Sequence, residues 1–346
     1  MRACFVRLVI ATVALMACGA ASAQSVADFY RGKRITLMVG SDAGSGYDAY
    51  ARLLSRYMSK YIPGNPTIVI ENLSTAGGVG MTNEVADIDA KDGTFIGATQ
   101  SSVPFEHLLH LLSPDGNAAR FDATKLNWLG TMQQDVFVMI GWHDAPAKNL
   151  GDLKTKEYID GAAAPNTDGS IIVPLMNTML GTKLKLVTGY SGAAGELLAM
   201  ERGEIDGAAM AYSSAIALRP DLVTSGKYEI MLQMGAAPHA DLKEVPFFND
   251  LVKTQDERAI LSLIFSKYQM GRPFFVAEEV PVDRVSALRT AFDQTMKDPD
   301  LVAEAKTAGI EINPLDGAAV QQLVARLYAE PADIVHRARV LLGKEK

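Results

Sequence analysis

The apolar positions of this chain alternate between strand-length runs and helical spacing. Residues 35–40 (ITLMVG) form an apolar run of strand length, followed by the turn-rich residues 41–46 (SDAGSG). Tyr50, Leu53, Leu54, Tyr57, Met58 and Tyr61 then recur at i, i+3, i+4 spacing, with Arg52, Arg56 and Lys60 on the opposite face. Pro63-Gly64 ends that helix. Residues 67–71 predict a second strand. Thr75-Ala76-Gly77-Gly78 opens a second helix that ends near Asp92-Gly93, and residues 94–99 predict a third strand. The pattern then repeats: strands over 136–142, 158–163, 185–188, 205–211 and 228–234, with helices over 171–180 and 194–202. Such alternation predicts an open, mostly parallel α/β sheet architecture.

The last third is more helical. Thr254 and Glu257 have capping-box spacing ahead of the apolar residues 260–265. Pro281 starts a helix bearing Val285, Leu288, Phe292 and Met296, which Asp298-Pro299 is expected to stop. Two more helices are predicted over 317–328 and 331–342.

Length supports more than one domain, since 346 residues at roughly 150 per domain gives about two. A formal charge of −7 argues against a nucleic-acid binder resting on a basic face. The first residues read as an export leader: Arg2 and Arg7, an apolar run over 8–17, then Ala21-Ser22-Ala23, placing a signal peptide at 1–23 and Gln24 first in the mature chain. The run is shorter than the roughly 20 residues a membrane span needs. Leu15-Met16-Ala17-Cys18 loosely resembles a lipoprotein box, so a lipid anchor at Cys18 is a minor alternative. Both cysteines, Cys4 and Cys18, lie in the leader, so an exported mature chain would have no disulfide, thiolate nucleophile or cysteine metal site. The expected location is periplasmic.

Gly44-Ser45-Gly46-Tyr47-Asp48-Ala49 matches G-x-G-x-x-A after a strand, and Glu71 ends the next strand, as a dinucleotide fingerprint requires. The same glycines would let amides converge at a helix N-terminus on any anion, phosphate or carboxylate. No P-loop, HExxH or GxSxG is present. His107 and His110, beside Glu106, have metal-ligand spacing but read as a solvated helix face, and no metal or cofactor is expected. What recurs is a polar or glycine-rich loop after a strand and before a helix: residues 41–48, 75–78, 100–102, 166–170 and 190–193. In α/β sheets such loops gather at the carboxyl edge, where ligands bind.

On these residues the chain resembles the substrate-binding receptors of tripartite tricarboxylate transporters, the Bug-type family. The resemblance covers nearly the whole mature chain. Its signatures are ITLMVGSDAGSGYDAYARLL (35–54), IVIENLSTAGGVG (68–80), KDGTFIG (91–97), YSGAAGELLAMERGEIDG (190–207) and VPVDRVSALRTAFDQTMKDPD (280–300). The resemblance implies a two-lobe periplasmic binding protein fold of type II-like form. Two crossover segments near 126–134 and 228–236 would form the hinge, with lobe 1 over 24–130 and 237–346 and lobe 2 over 131–236. It implies a monomeric, non-enzymatic receptor that hands a small organic acid to the membrane permease subunits of such a transporter.

By the same resemblance one ligand carboxylate is pincered by backbone amides and ordered water at Ala43, Gly44, Ser45 and Gly46 and at Ala76, Gly77 and Gly78. Tyr47, Asp48, Thr75, Gln100 and Ser101 border that pincer. The other lobe would add Asn166, Thr167, Asp168, Ser170, Tyr190, Ser191 and Gly192, with Asp206 at a strand end nearby. The family's usual Pro-Phe-Pro is Gly40-Ser41-Asp42 here, and the second loop has Leu73-Ser74-Thr75 where Arg-Pro-Gly is common. Tyr47 replaces a small residue. A phenol and an extra carboxylate at the pincer point toward an aromatic, hydroxylated or amino-bearing acid. The alternatives are an exported Rossmann-like oxidoreductase, for which Glu71 would hold a ribose, and a sensory receptor on the same fold.

Overall fold

The computed structural model describes residues 24–111, 118–163, 167–222 and 224–345; the leader at 1–23 and Asn166 lie outside them. Two sheets organise the chain. The first has six strands in the order β11-β4-β10-β3-β1-β2, and the second five in the order β7-β6-β8-β5-β9. In the first, β1 (Arg34–Val39) pairs in parallel with β2 (Thr67–Asn72) and β3 (Phe95–Ala98). β10 (Pro273–Val276) then runs antiparallel between β3 and β4 (Asn127–Thr131), and the short β11 (Leu315–Asp316) closes the far edge. In the second, β6 (Tyr158–Ala162) is parallel to β7 (Leu184–Thr188) and β8 (Gly207–Ala211), whereas β5 (Phe137–Trp142) is antiparallel to both β8 and β9 (Tyr228–Met234).

Both sheets are therefore mixed, not simply parallel. β5 and β10 are each the first strand after the chain passes from one sheet to the other, and each enters against its neighbours' direction. The first passage spans residues 132–136 and the second begins after β9. Residues 228–236, placed in the hinge by the resemblance, are thus mostly strand β9 of the second sheet. The first passage also pairs with the second and with the chain beyond it: the Gly271 amide donates to the Gln133 carbonyl at 3.0 Å, and Gln133 bridges Asn313.

The first sheet is covered on both faces, as its near-continuous apolar strands require. Ile35, Leu37 and Val39 of β1 pack in one core with helix α1 (Gly46–Met58), while Met38 points into the other core with helix α2 (Val79–Asp87). Within α1, Tyr50, Leu53, Leu54 and Met58 are buried as their spacing predicts. Tyr57 and Tyr61 sit at the boundary and bond Glu304 (2.6 Å) and Asp298 (3.1 Å) through their hydroxyls. Asp298-Pro299 does not simply stop a helix: the Asp298 carboxylate caps the amide of Asp300, and Pro299 is the first residue of a new helix, Pro299–Thr307. In the second sheet, α3 (Asp168–Leu180) and α4 (Gly192–Glu201) follow β6 and β7. Among the described residues no helix is long and apolar enough to cross a membrane.

Candidate functional site

The carboxyl ends of β1, β2 and β3 bring three of the predicted loops together. Gly78 lets them close: its φ is +92°, and an added Cβ would lie 2.9 Å from the Gly40 carbonyl oxygen and 3.3 Å from the Gln100 side chain. The Gln100 amide also donates to the Gly40 carbonyl at 2.9 Å, and the Tyr47 hydroxyl lies 3.2 Å from both the Ser101 hydroxyl and the Ser101 amide. Ala76 and Gly77 precede Gly78 in left-handed conformations, φ 48° and 62°, so the chain turns sharply just before α2 begins. A non-glycine residue in that region stores strain, which marks a position held for its backbone geometry.

The first loop is braced from within. Asp48 is buried, and its carboxylate accepts from the Gly44 amide (2.8 Å), the Arg52 guanidinium (2.8 Å) and the Asn72 amide (2.9 Å). Burial works against the charge, but Arg52, Gly44 and Asn72 outweigh it and hold the carboxyl below its ordinary range. Asp48 is thus engaged by its own loop. The Gly44 amide is spent on Asp48 and the Ser45 amide on the Asp42 carbonyl (3.2 Å), so neither of these two predicted pincer amides is open to a ligand in this structure. Ser45 caps α1: its hydroxyl accepts from the Asp48 amide and its carbonyl from the Ala49 amide. That leaves Gly46 and Tyr47, the first two residues of α1, with amides that have no acceptor among the described residues. Ala43 is exposed at the tip of the same loop, and Thr75 at the start of the second.

In the second sheet the loops after β6 and β7 lie at the carboxyl edge, as expected. Thr167 is the extended residue capping α3, and the Ser170 hydroxyl donates to its carbonyl at 2.8 Å; Asp168 is the first helical residue. Tyr190 packs against the second-sheet core, Ser191 is exposed, and Gly192 starts α4 with φ +66°. Asp206 is a correction. It precedes β8, and because β8 runs parallel to β6, the start of β8 is the opposite edge from these loops. There it accepts from the Ile159 amide at 2.7 Å and ties β6 to β8. Among the described residues no hydrogen bond or ion pair links the first-sheet loops to Ser170 or to residues 190–192.

What does meet between the sheets is a group that the sequence did not single out. Arg272, immediately before β10, lays its guanidinium over the rings of Tyr47 and Tyr50, 4.5 and 4.9 Å from their centroids. Across from it His239 lies 3.5 Å from Glu311, packs against Tyr212 and is held above its ordinary pKa by that carboxylate. Asp135, in the first passage, accepts from the Ser213 hydroxyl, and burial raises its pKa. The only sequence signal was an arginine set directly before the buried run PFFV. Among the described residues no cluster of three or more His, Cys, Asp or Glu could hold a metal ion. His107 bonds the Phe121 carbonyl at 3.1 Å, and Glu71 is exposed on the edge strand β2.

No family model matches the chain, and no curated protein matches it in sequence. Solved structures do. A TctC solute-binding protein from Polaromonas aligns at TM-score 0.71 and 16 % identity over 91 % of this chain and 99 % of that one. MatC from Rhodopseudomonas palustris, with bound malate, aligns at 0.58 and 18 % over 89 % and 99 %. The R. palustris protein Rpa4515 with adipate aligns at 0.60 and 18 % over 89 % and 97 %. At these identities the likeness is one of fold: the chain has the two-lobe architecture of periplasmic solute-binding proteins of the TctC type.

Proposed function

We propose that this chain is an extracytoplasmic solute receptor of the tripartite tricarboxylate, Bug-type family. It would be exported by the leader at 1–23 and act in the periplasm as a monomer, without cofactor, metal or reaction. Two lobes, residues 24–130 with 237–346 and residues 131–236, close over a small organic acid by motion at the two passages and deliver it to the membrane permease subunits. The observation that carries this reading is the convergence of three loops at the carboxyl edge of β1, β2 and β3 on a helix N-terminus with open amides, Gly46 and Tyr47. The fold supports it, and so do the malate and adipate bound by two proteins of that fold.

A thermal-shift panel of mono-, di- and tricarboxylates, aromatic acids and nicotinamide cofactors tests it. A ligand at 100 times its Kd adds about 2.7 kcal/mol, enough to move the midpoint by several degrees. The expected result is a shift with an acid that is lost in Gly78→Ala, whose Cβ would hold the loops apart, and retained in Glu71→Ala. A shift with a nicotinamide cofactor alone, abolished in Glu71→Ala, would replace the receptor by an oxidoreductase.

A further inference from the structure

Among the described residues, Arg272 is a cation with a buried nitrogen that no acceptor answers. It is partly buried, and among the described residues no carboxylate lies within 4.0 Å of it. Its Nη1 donates to the neighbouring Gly271 carbonyl at 2.7 Å, while its Nε is buried with no hydrogen-bond partner at all. Taking a guanidinium out of water without a counter-anion is costly, and two tyrosine faces recover only part of that cost. The group is also placed where an anion would be met. Its Nη2 lies 3.5 Å from where a Cβ on Gly46 would stand, beside the open amides that begin α1. The same guanidinium lines a cavity of about 620 Å³ that runs from Gly46 across to the helix Tyr212–Leu218.

The other walls of that cavity are mainly apolar or aromatic: Ala49, Tyr50, Tyr212, Ile216 and Pro220. Its remaining charged groups are His239, Glu311 and Asp241. His239 lies 3.5 Å from Glu311, away from the guanidinium, and Asp241 stands at the exposed rim. One end of the cavity is therefore cationic and donor-rich, and its body is greasy. A short hydroxy acid would leave the body unfilled.

We propose that Arg272, with the amides of Gly46 and Tyr47, binds the carboxylate of the solute, and that the cavity beside it seats an apolar or aromatic body. The substrate class is then a carboxylate with an attached ring or alkyl chain. This rests on the receptor reading above and narrows it. A planar guanidinium can engage both carboxylate oxygens at once, which fixes the acid's orientation before the lobes close.

Titration calorimetry with phenylacetate, hexanoate, malate and acetate on the wild-type protein, Arg272→Gln, Arg272→Lys and Gly78→Ala tests this, together with the melting point of each free protein. Phenylacetate or hexanoate is expected to bind tighter than malate and acetate. Arg272→Gln is expected to weaken that binding on the order of ten- to a hundredfold, and Arg272→Lys by less, keeping the charge without the fork. Free Arg272→Gln should melt at or above the wild-type temperature, because the unanswered cation is gone. Unchanged affinity in Arg272→Gln, with binding lost in Gly78→Ala, overturns the proposal and leaves the receptor standing. Malate or acetate binding as tightly as the longer acids overturns the apolar body. Arg272→Gln that melts well below wild type or fails to fold shows a structural cation and also overturns it. A wild-type protein that binds none of the four overturns the proposal, and if it stays silent across the wider acid panel the receptor reading falls too.

Discussion

Replacing Glu196 by glutamine should make this protein more stable at alkaline pH and leave it nearly unchanged in acid. Glu196 lies on α4, is 5 % exposed, and accepts the backbone amide of Ala163, where the loop into α3 begins. Burial pushes its carboxyl from 4.5 up to about 7, the Ala163 amide opposing only in part. The folded state thus holds the proton more tightly than the unfolded chain. Stability from this group is intact below the unfolded pKa, falls as pH rises from about 4.5 to about 7, and stays reduced above that. At about 1.4 kcal/mol per pKa unit the full effect approaches about 3 kcal/mol. Asp160 lies close enough to interact with it, is fully buried with both carboxylate oxygens unpartnered, and is itself pushed well above its ordinary pKa by burial and by Glu196. The glutamine carbonyl can keep the Ala163 bond while removing the buried charge. Urea unfolding of Glu196→Gln and wild type at pH 5 and pH 8.5 should show a gain of about 1–3 kcal/mol at the higher pH and a small one at the lower. An equal difference at both pH values would refute the reasoning.

Asp48→Asn removes the acceptor shared by Gly44 and Arg52 and should cost about 1.5–3 kcal/mol at neutral pH by urea melts. Because the Asp48 carboxyl is held below its ordinary value, that difference should be complete above about pH 4 and shrink as pH falls through the folded pKa. Ala76→Gly relieves a left-handed alanine at φ 48° and should raise the melting midpoint, corresponding to about 0.5–1 kcal/mol. Gly97→Ala would place a Cβ 2.2 Å from the Phe275 ring inside the first sheet, and should lower stability by at least about 1–3 kcal/mol in the same assay.

The sequence alone specified the elements whose signals are local. Strand β1, the helix face of Tyr50, Leu53, Leu54 and Met58, the Thr254–Glu257 capping box and the strand 228–234 all stand where spacing and cap chemistry put them. Hydrophobic period and side-chain capping are properties of a few neighbouring residues, so they survive without the rest of the chain. β4 and β10 were not legible as strands. Each is short, and β10 opens on a proline, so only the neighbours they insert between make them strands. The sign of Asp298-Pro299 was equally undecided locally, since an Asp-Pro pair both ends one helix and caps the next.

The site divides along the same line. The glycine loops announced themselves, because the backbone freedom they supply is written in residue type. Which amides stay open was decided by Asp48, Arg52 and Asn72, drawn together from α1 and β2. Asp206 went to the wrong edge because strand direction, a tertiary fact, determines which end of β8 meets the cleft. Arg272, 226 residues beyond Gly46 in the chain, reaches that glycine only because the second passage returns into the middle of the first sheet. No pattern in sequence carries a contact of that span; the path of the chain between the two sheets creates it.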